Sequence, residues 1–476
     1  MRYLSVILVF LSFLSSSGTT LADIRLPSMG EASSAVISLD QERRLGQEWL
    51  RSYRAQTDIN KDYLLQEYVE NLVFRMAQHS DIVDKRPDII IVNNPTLNAF
   101  AVPGGIIGVN TGLFTYAETE GQFSSVMAHE LSHLSQRHFA RSVAESQSNQ
   151  IATMAGILAG ILLAATTSGD AGLAMISASQ AASLESGLRY SRQNEQEADR
   201  IGLQVMANAG YDPSSMGAMF ENMLRSTGYV GFQAPEYLRS HPLTESRVND
   251  ALNRARQYQQ RFYPESPLYQ LMRKRIEVQQ SGLPAQAVRK FEAELESDNT
   301  AINKYGLALA YKKAIRFEEA SELARELYES DMSNQAFGLL YADLLNLTGN
   351  TQKSEEIIRS YLQRRPDSYA LNMALASTLS HAGKFSESAN ILRNQTRLRS
   401  NDPAVWYEYA ETLGLAGEIL DLHKARAEYF MLVGAYDRAI RQLQFAKTEA
   451  AGNSIEIAIL DEKITRAAQL RNSSQF

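Results

Sequence analysis

The chain has 476 residues, 44% of them hydrophobic and 21% charged, and a formal net charge of −7. That length supports two or more domains with sizeable cores, and the slightly acidic balance lacks the basic footprint of a nucleic-acid binder, so no nucleic-acid partner is expected. With Cys 0, disulfide frameworks, thiolate nucleophiles and thiolate metal sites are excluded, and any metal must be held by histidine and carboxylate.

The first residues read as an export signal. Arg2 precedes an uncharged apolar stretch from Tyr3 to Leu14, and small residues follow through Ser15-Ser16-Ser17-Gly18-Thr19-Thr20-Leu21-Ala22, the order of an n-region, an h-region and a cleavage site. This 12-residue stretch falls short of the roughly 20 that span a bilayer. The expectation is a signal peptide over 1–22, a mature start at Asp23 and a periplasmic location. No cysteine follows the apolar stretch, so a lipid anchor is not expected.

Two textures follow. Ser38 to Tyr263 mixes helical patterns with short β-rich pieces, whereas Leu268 to Leu470 is helical almost throughout. The predicted boundary lies between Pro264 and Pro267, dividing the mature chain into an α+β domain over 23–263 and an all-α domain over 264–476. In the first, Tyr63 to His79 has helical apolar spacing, and Asp88-Ile89-Ile90-Ile91-Val92 is a β-branched strand closed by Asn93-Asn94-Pro95. Asn98 to Val102 and Ile106 to Val109 read as short strands around Pro103-Gly104-Gly105. Proline fixes its own φ and the glycines permit positive φ. The small residues suit either a tight packing turn or the approach of a peptide backbone.

Helical spacing over Glu120 to Ala128 leads into His129-Glu130-Leu131-Ser132-His133. Histidines four apart share a helix face, so both imidazoles can reach one cation with Glu130 beside it. Catalytic zinc sites take three protein ligands and leave a position for water, so a third ligand must come from elsewhere. His138 lies five residues beyond His133, roughly 140° around a regular helix, and is expected on a polar helix surface. Phe139 stands where an extended metzincin pattern would need a ligand, so that class is not supported. His79, His381 and His423 lack partners at metal-binding spacing.

Ile151 to Thr167 is an uncharged apolar run, short for a spanning helix, and the small apolar texture continues to Ala182. An apolar helix or flap near a cleft is the preferred reading, with a buried helix and membrane insertion as alternatives. The third ligand is sought in Ser191-Arg192-Gln193-Asn194-Glu195-Gln196-Glu197-Ala198-Asp199. Glu195 and Asp199 are four apart and can face the site together, one as ligand and the other as the acceptor that fixes a ligand imidazole. Glu197 points elsewhere on a regular helix.

In the helical half, Ala320, Ser354 and Ser388 recur at 34-residue intervals, each after a short turn, the period of tetratricopeptide repeats. Ala308, Ala342 and Ala376 supply small residues where paired helices approach, and Gly434-Ala435-Tyr436 repeats the turn after what reads as an irregular insertion containing Trp406 and Ala410. Gly282-Leu283-Pro284 reads as a degenerate earlier copy. A solenoid of this kind offers a concave surface to a peptide or protein segment; the alternative is a scaffold that buttresses the first domain.

Together, Asn98 to Gly105, His129 to His133 and Ser191 to Asp199 resemble the HtpX and CAAX-prenyl-protease family of gluzincin metallopeptidases. The resemblance implies an α+β zincin-type metallopeptidase domain followed by an all-α tetratricopeptide-repeat solenoid. It implies His129, His133 and Glu195 as ligands of one Zn2+ per chain, Glu130 as catalytic base and Asp199 as partner of a ligand histidine. Within Ser240-His241-Pro242-Leu243-Thr244-Glu245-Ser246-Arg247 it brings His241 to the centre, either stabilising the developing oxyanion or binding metal at the open position. A helix-capping or core role is the structural alternative. Arg247 is expected to pair with an acid beside the site, with substrate, or in an ordinary salt bridge.

With the export signal and repeats, the resemblance further implies a periplasmic zinc endopeptidase for misfolded or unassembled outer-membrane β-barrel proteins. Chaperone-like assistance, the lipopolysaccharide-transport pore as a client and repeat contacts with the barrel-assembly machinery belong to the same implication, with peripheral membrane proximity but no spanning helix. A mainly non-proteolytic assembly factor or adaptor, binding clients through its repeats, is the competing class.

Overall fold

The computed structural model describes residues 37–145, 156, 158–159, 192–228, 236–259 and 261–473. The expected signal peptide and nearly all of the apolar run lie outside the described residues. Of that run, Leu158 is buried, and its carbonyl accepts a 2.9 Å hydrogen bond from Trp49 Nε1. Among the described residues no helix is long and apolar enough to cross a membrane.

Helix α1 (Leu39–Gln56) starts in a capping box in which Ser38 and Gln41 satisfy each other's backbone N–H groups. Helix α2 (Tyr63–Ala77) follows, capped by Asp62. Strands β1 (Asp88–Val92), β2 (Ala99–Val102) and β3 (Ile106–Asn110) form a sheet of order β1-β3-β2, with β3 parallel to β1 and antiparallel to β2. The expected strands and the Pro-Gly-Gly turn are thus present. Gly104 and Gly105 have φ of 91° and 85°, and a Cβ on Gly104 would stand 2.8 Å from the Glu42 carbonyl oxygen of α1. At Gly104 the turn is a packing device, and among the described residues β2 is an edge strand of the sheet.

The first half continues with α3 (Gly112–Tyr116), α4 (Glu120–Ser135), α5 (His138–Glu145), α6 (Arg192–Ala209), α7 (Ser214–Gly228), α8 (Glu236–Ser240) and α9 (Glu245–Ala255). Every residue of α4 from Gln122 to His133 is buried. A helix buried all round is enclosed by other elements, here β2, α2, α6 and α7. Gly202 of α6 lets the helices close up, since a Cβ there would lie 3.4 Å from the Ala128 backbone of α4.

The helical half runs through α10 (Pro267–Gln280), α11 (Pro284–Ser297), α12 (Ala301–Lys313), α13 (Phe317–Ser330), α14 (Gln335–Leu347), α15 (Thr351–Leu362), α16 (Tyr369–His381), α17 (Phe385–Leu398), α18 (Pro403–Ala416), α19 (Ile419–Leu432), α20 (Tyr436–Glu449) and α21 (Ser454–Ser473). Sequential helices pack as antiparallel pairs, the architecture of a tetratricopeptide-repeat solenoid. Ile315, Gly349, Gly383 and Gly417 all have positive φ, at 60°, 82°, 73° and 76°, and are spaced by 34 residues. This series corrects the expected irregular insertion: α18 and α19 are an ordinary helix pair turning at Gly417, and buried Ala410 continues the Ala342 and Ala376 positions. Ser354 and Ser388, both buried, donate to the carbonyls of Ala342 and Ala376 at 2.8 and 2.7 Å, which ties the helices of each pair.

The two halves share one core, running from Leu64 through Phe114 and Tyr269 to Leu379. Tyr269 of α10 is fully buried beside Phe114 and Phe123, and its hydroxyl donates to the Ala117 carbonyl at 2.8 Å. Further along, α2 lies against the first helices of successive pairs. Glu67 accepts from Gln335 Nε2 at 3.0 Å, Ser368 Oγ at 3.1 Å and the Tyr369 backbone N–H at 2.7 Å. Arg399 holds Glu70, with Nη1 2.8 Å from Oε2. Helix α2 of the first half is thus packed and hydrogen-bonded onto the solenoid, the kind of contact a buttress would make.

Candidate metal centre

Four segments converge on one buried point. Helix α4 is started by Thr119, whose side chain accepts from the Gln122 N–H, and it delivers His129, Glu130 and His133. Helix α6 delivers Glu195 and Asp199, the residue after α8 is His241, and α9 delivers Arg247. All seven are buried, none more than 4% exposed.

One ligand atom each from His129, His133, Glu195 and His241 lies within 4.8 Å of every other. His129 Nε2 and His133 Nε2 are 3.0 Å apart, Glu195 presents Oε2 at 3.5 Å from the first and Oε1 at 3.4 Å from the second, and His241 Nδ1 is 3.0 Å from Glu195 Oε1. Converging nitrogen lone pairs with a carboxylate are the donor chemistry of a divalent-metal site, and the set fits such an ion. The fully buried Glu130 has neither carboxylate oxygen in a hydrogen bond among the described residues, and its Oε1 lies 3.5 Å from His241 Nε2. A buried carboxylate in that condition needs a chemical reason.

The other sides of the imidazoles are held. His129 Nδ1 meets Asp199 Oδ1 at 2.9 Å, and Arg247 grips Asp199 through Nε at 2.7 Å and Nη2 at 2.8 Å. Arg247 Nη1 also donates to the Pro242 carbonyl at 2.9 Å, which fastens the segment that carries His241, and stands 2.8 Å from Glu195 Oε2. Burial pushes the Asp199 carboxyl up, but the hydrogen bonds from Arg247 and His129 outweigh it and leave it below the usual aspartate range. Burial likewise pushes the Glu195 carboxyl up, but the surrounding imidazoles of His241, His129 and His133 outweigh it and leave it well below the ordinary glutamate range. Tyr237 stacks on His241 with ring centres 4.8 Å apart.

The sequence reading is corrected at His138. It is fully buried rather than on a polar surface, with Nδ1 2.8 Å from His133 Nδ1 and Nε2 3.1 Å from Glu197 Oε2. Helical extrapolation fails because α4 ends at Ser135 and Arg137 takes φ 50°. The chain turns there, and a new helix starting at His138 folds the ring back onto His133. Arg137 is fixed in this costly conformation by its guanidinium, which donates to Glu42 Oε1 at 2.6 Å and to the Ile37 carbonyl at 2.7 Å. Glu197 does point away from the centre, onto His138 and Arg141. An adjacent Arg-His pair just past the motif was the available signal. His381 and His423 make their bonds within the solenoid, to the Ser377 carbonyl and to Gln442.

Residues 64–255 match Peptidase family M48. A relative from Vibrio cholerae is 34% identical over 325 residues, covering 67% of each chain. The beta-barrel assembly-enhancing protease of Escherichia coli strain K12 is 34% identical over 322 residues, covering 67% of this chain and 66% of that one. A mitochondrial metalloendopeptidase of Schizosaccharomyces pombe is 29% identical over 220 residues, 44% of this chain and 60% of its own. Among solved structures, a tetratricopeptide repeat protein from Parabacteroides merdae aligns over 58% of this chain and 99% of its own at 12% identity, with a TM-score of 0.28; the repeat architecture rests instead on the helix pairing and the 34-residue period. The buried donor cluster lies wholly within the matched span, and the chain belongs to the M48 metallopeptidases.

Proposed function

We propose that this protein is a periplasmic zinc endopeptidase that degrades misfolded or unassembled outer-membrane β-barrel proteins and also assists their assembly. The supporting observation is the pairing of the convergent donors with Glu130, a fully buried carboxylate outside any hydrogen bond among the described residues. In this reading His129, His133 and Glu195 hold the ion, Asp199 orients His129, and Arg247 orients Asp199. A bound zinc ion polarises the scissile carbonyl and acidifies water. Glu130 accepts the proton of the attacking water and returns one to the leaving amine, so no acyl-enzyme forms. Edge strand β2 pairs with an extended substrate backbone; Ala101 and Pro103 line the same small cavity as His133. Such pairing favours chains with free backbone over compact proteins.

His241 belongs to the donor cluster, with Nδ1 3.4 Å from His129 Nε2 and 3.0 Å from Glu195 Oε1, which favours His241 as a fourth ligand that substrate must displace. His241→Ala is then expected to raise cleavage of a short peptide; a loss with zinc retained supports the oxyanion role instead. The β-barrel client class is taken from the name of the relatives, beta-barrel assembly-enhancing protease, and the outer membrane from the export signal read in the sequence. The repeats' remaining surface is proposed to meet the barrel-assembly machinery and the lipopolysaccharide-transport pore. The substrate class is tested by presenting the zinc-loaded protein with one outer-membrane protein, unfolded and pre-folded in detergent. Cleavage of the unfolded form alone is expected, and equal cleavage of both forms contradicts the assignment.

A further inference from the structure

The two histidines of α4 are supported differently. His129 has the carboxylate of Asp199 on its Nδ1 side, whereas His133 has a second imidazole there, that of His138. His138 in turn rests on Glu197 Oε2, which also accepts from Arg141 Nη1 at 3.0 Å. This inference rests on the reading of His133 as a metal ligand.

Hydrogen-bond direction follows from that reading. His133 can ligate through Nε2 only when that nitrogen is bare, so its proton sits on Nδ1. Two imidazole nitrogens 2.8 Å apart form a bond only if one carries a proton and the other does not, so His138 Nδ1 is the acceptor. The His138 proton is then on Nε2, where Glu197 accepts it.

We propose that Arg141, Glu197 and His138 form a positioning relay that fixes the tautomer and ring plane of His133, as Arg247 and Asp199 do for His129. The metal pair is thereby held from two sides, by α9 through α6 on one and by α5 on the other. The left-handed turn at Arg137 is the backbone feature that makes the second arm. Because α5 packs on α4 through this contact, the relay couples the placement of α5 to metal retention. His138 touches neither substrate nor metal; it acts through His133.

Supporting residues of this kind change metal affinity about 10–100-fold when removed. The test measures zinc affinity by competition with a chromophoric chelator, and the visible spectrum of the cobalt-substituted protein, for full-length His138→Leu, His138→Gln, Glu197→Ala and His133→Ala. His138→Leu is expected to weaken zinc binding about 10–100-fold and to shift the cobalt bands. His138→Gln, which can accept from His133 and donate to Glu197, is expected to restore most of both. Glu197→Ala, at a partly exposed position, is expected to weaken zinc binding less and serves as the readout if His138→Leu does not fold. Unchanged affinity and cobalt spectrum in a folded His138→Leu, or in Glu197→Ala if that is the readout, overturns the relay. His133→Ala separates the two readings: unchanged zinc affinity there refutes the ligand reading, whereas its loss beside unaffected relay variants refutes the relay alone.

Discussion

Arg247 clasps Asp199 through two donors, at 2.7 and 2.8 Å, with both side chains at most 5% exposed. The guanidinium fork meets both carboxylate oxygens, and Asp199 Oδ1 is shared with His129 Nδ1. Removing Arg247 leaves a buried carboxylate without its counter-charge, which costs about 3–5 kcal/mol. Arg247→Ala is expected to lose that much stability in denaturant unfolding, together with peptide cleavage. Arg247→Lys keeps the charge but not the fork and should fall between. An Arg247→Ala protein within 1 kcal/mol of wild type contradicts this account.

Metal removal is expected to destabilise the whole protein, because the donor cluster joins α4, α6 and the segment after α8 within the shared core. A ligand that binds only the native state at a free concentration 100 times its Kd adds about 2.7 kcal/mol. Dialysis against a chelator should therefore lower the unfolding temperature, and zinc should restore it. An unchanged melting curve in a protein shown to have lost its metal would contradict a structural contribution from the site.

Ile315 takes a turn position that Gly349, Gly383 and Gly417 fill elsewhere. A β-branched residue at φ 60° is strained by roughly 1–2 kcal/mol, partly offset by the entropy glycine loses on folding. Its side chain is 74% exposed, so little packing is at stake. Ile315→Gly should stabilise the protein by about 0.5–1 kcal/mol, measured by urea denaturation. Destabilisation would mean that the side chain contributes more than the turn strain costs.

Glu67 tests the joint between the halves. Its three hydrogen bonds reach α14 and the start of α16; bonds to a charged group contribute about 1.5–3 kcal/mol each, much of which water recovers at this half-buried carboxylate. Glu67→Ala should speed amide exchange in both segments and cost about 1–3 kcal/mol overall. Unaltered exchange at Tyr369 would show that apolar packing alone holds the joint. Cutting the chain before Pro267 should be worse, since it exposes the pocket around Phe114 and Phe123 that Tyr269 fills.

The sequence made the strands, the Pro-Gly-Gly hairpin, the repeat period and the main constellation legible, because each has a local pattern. Glu195 was reached from the spacing in Glu195-Gln196-Glu197-Ala198-Asp199 and from family resemblance. His138 was not, because one left-handed residue at Arg137 breaks the helical phase on which the extrapolation depended. Neither was the embrace of α2 by the solenoid: Glu67 and Glu70 look like solvated helix charges until residues some 300 positions away, Ser368 and Arg399, come to meet them. The fourth turn was hidden by Gly417-Glu418-Ile419, which keeps the glycine but not the phrase around it.

The most direct measurement compares cleavage of an unfolded outer-membrane protein by wild type and Glu130→Gln, with zinc content determined for both. The account predicts cleavage by the wild type and none by a substituted protein that retains its zinc. Cleavage by zinc-loaded Glu130→Gln at the wild-type rate would contradict it, because the buried carboxylate would then have no part in the reaction.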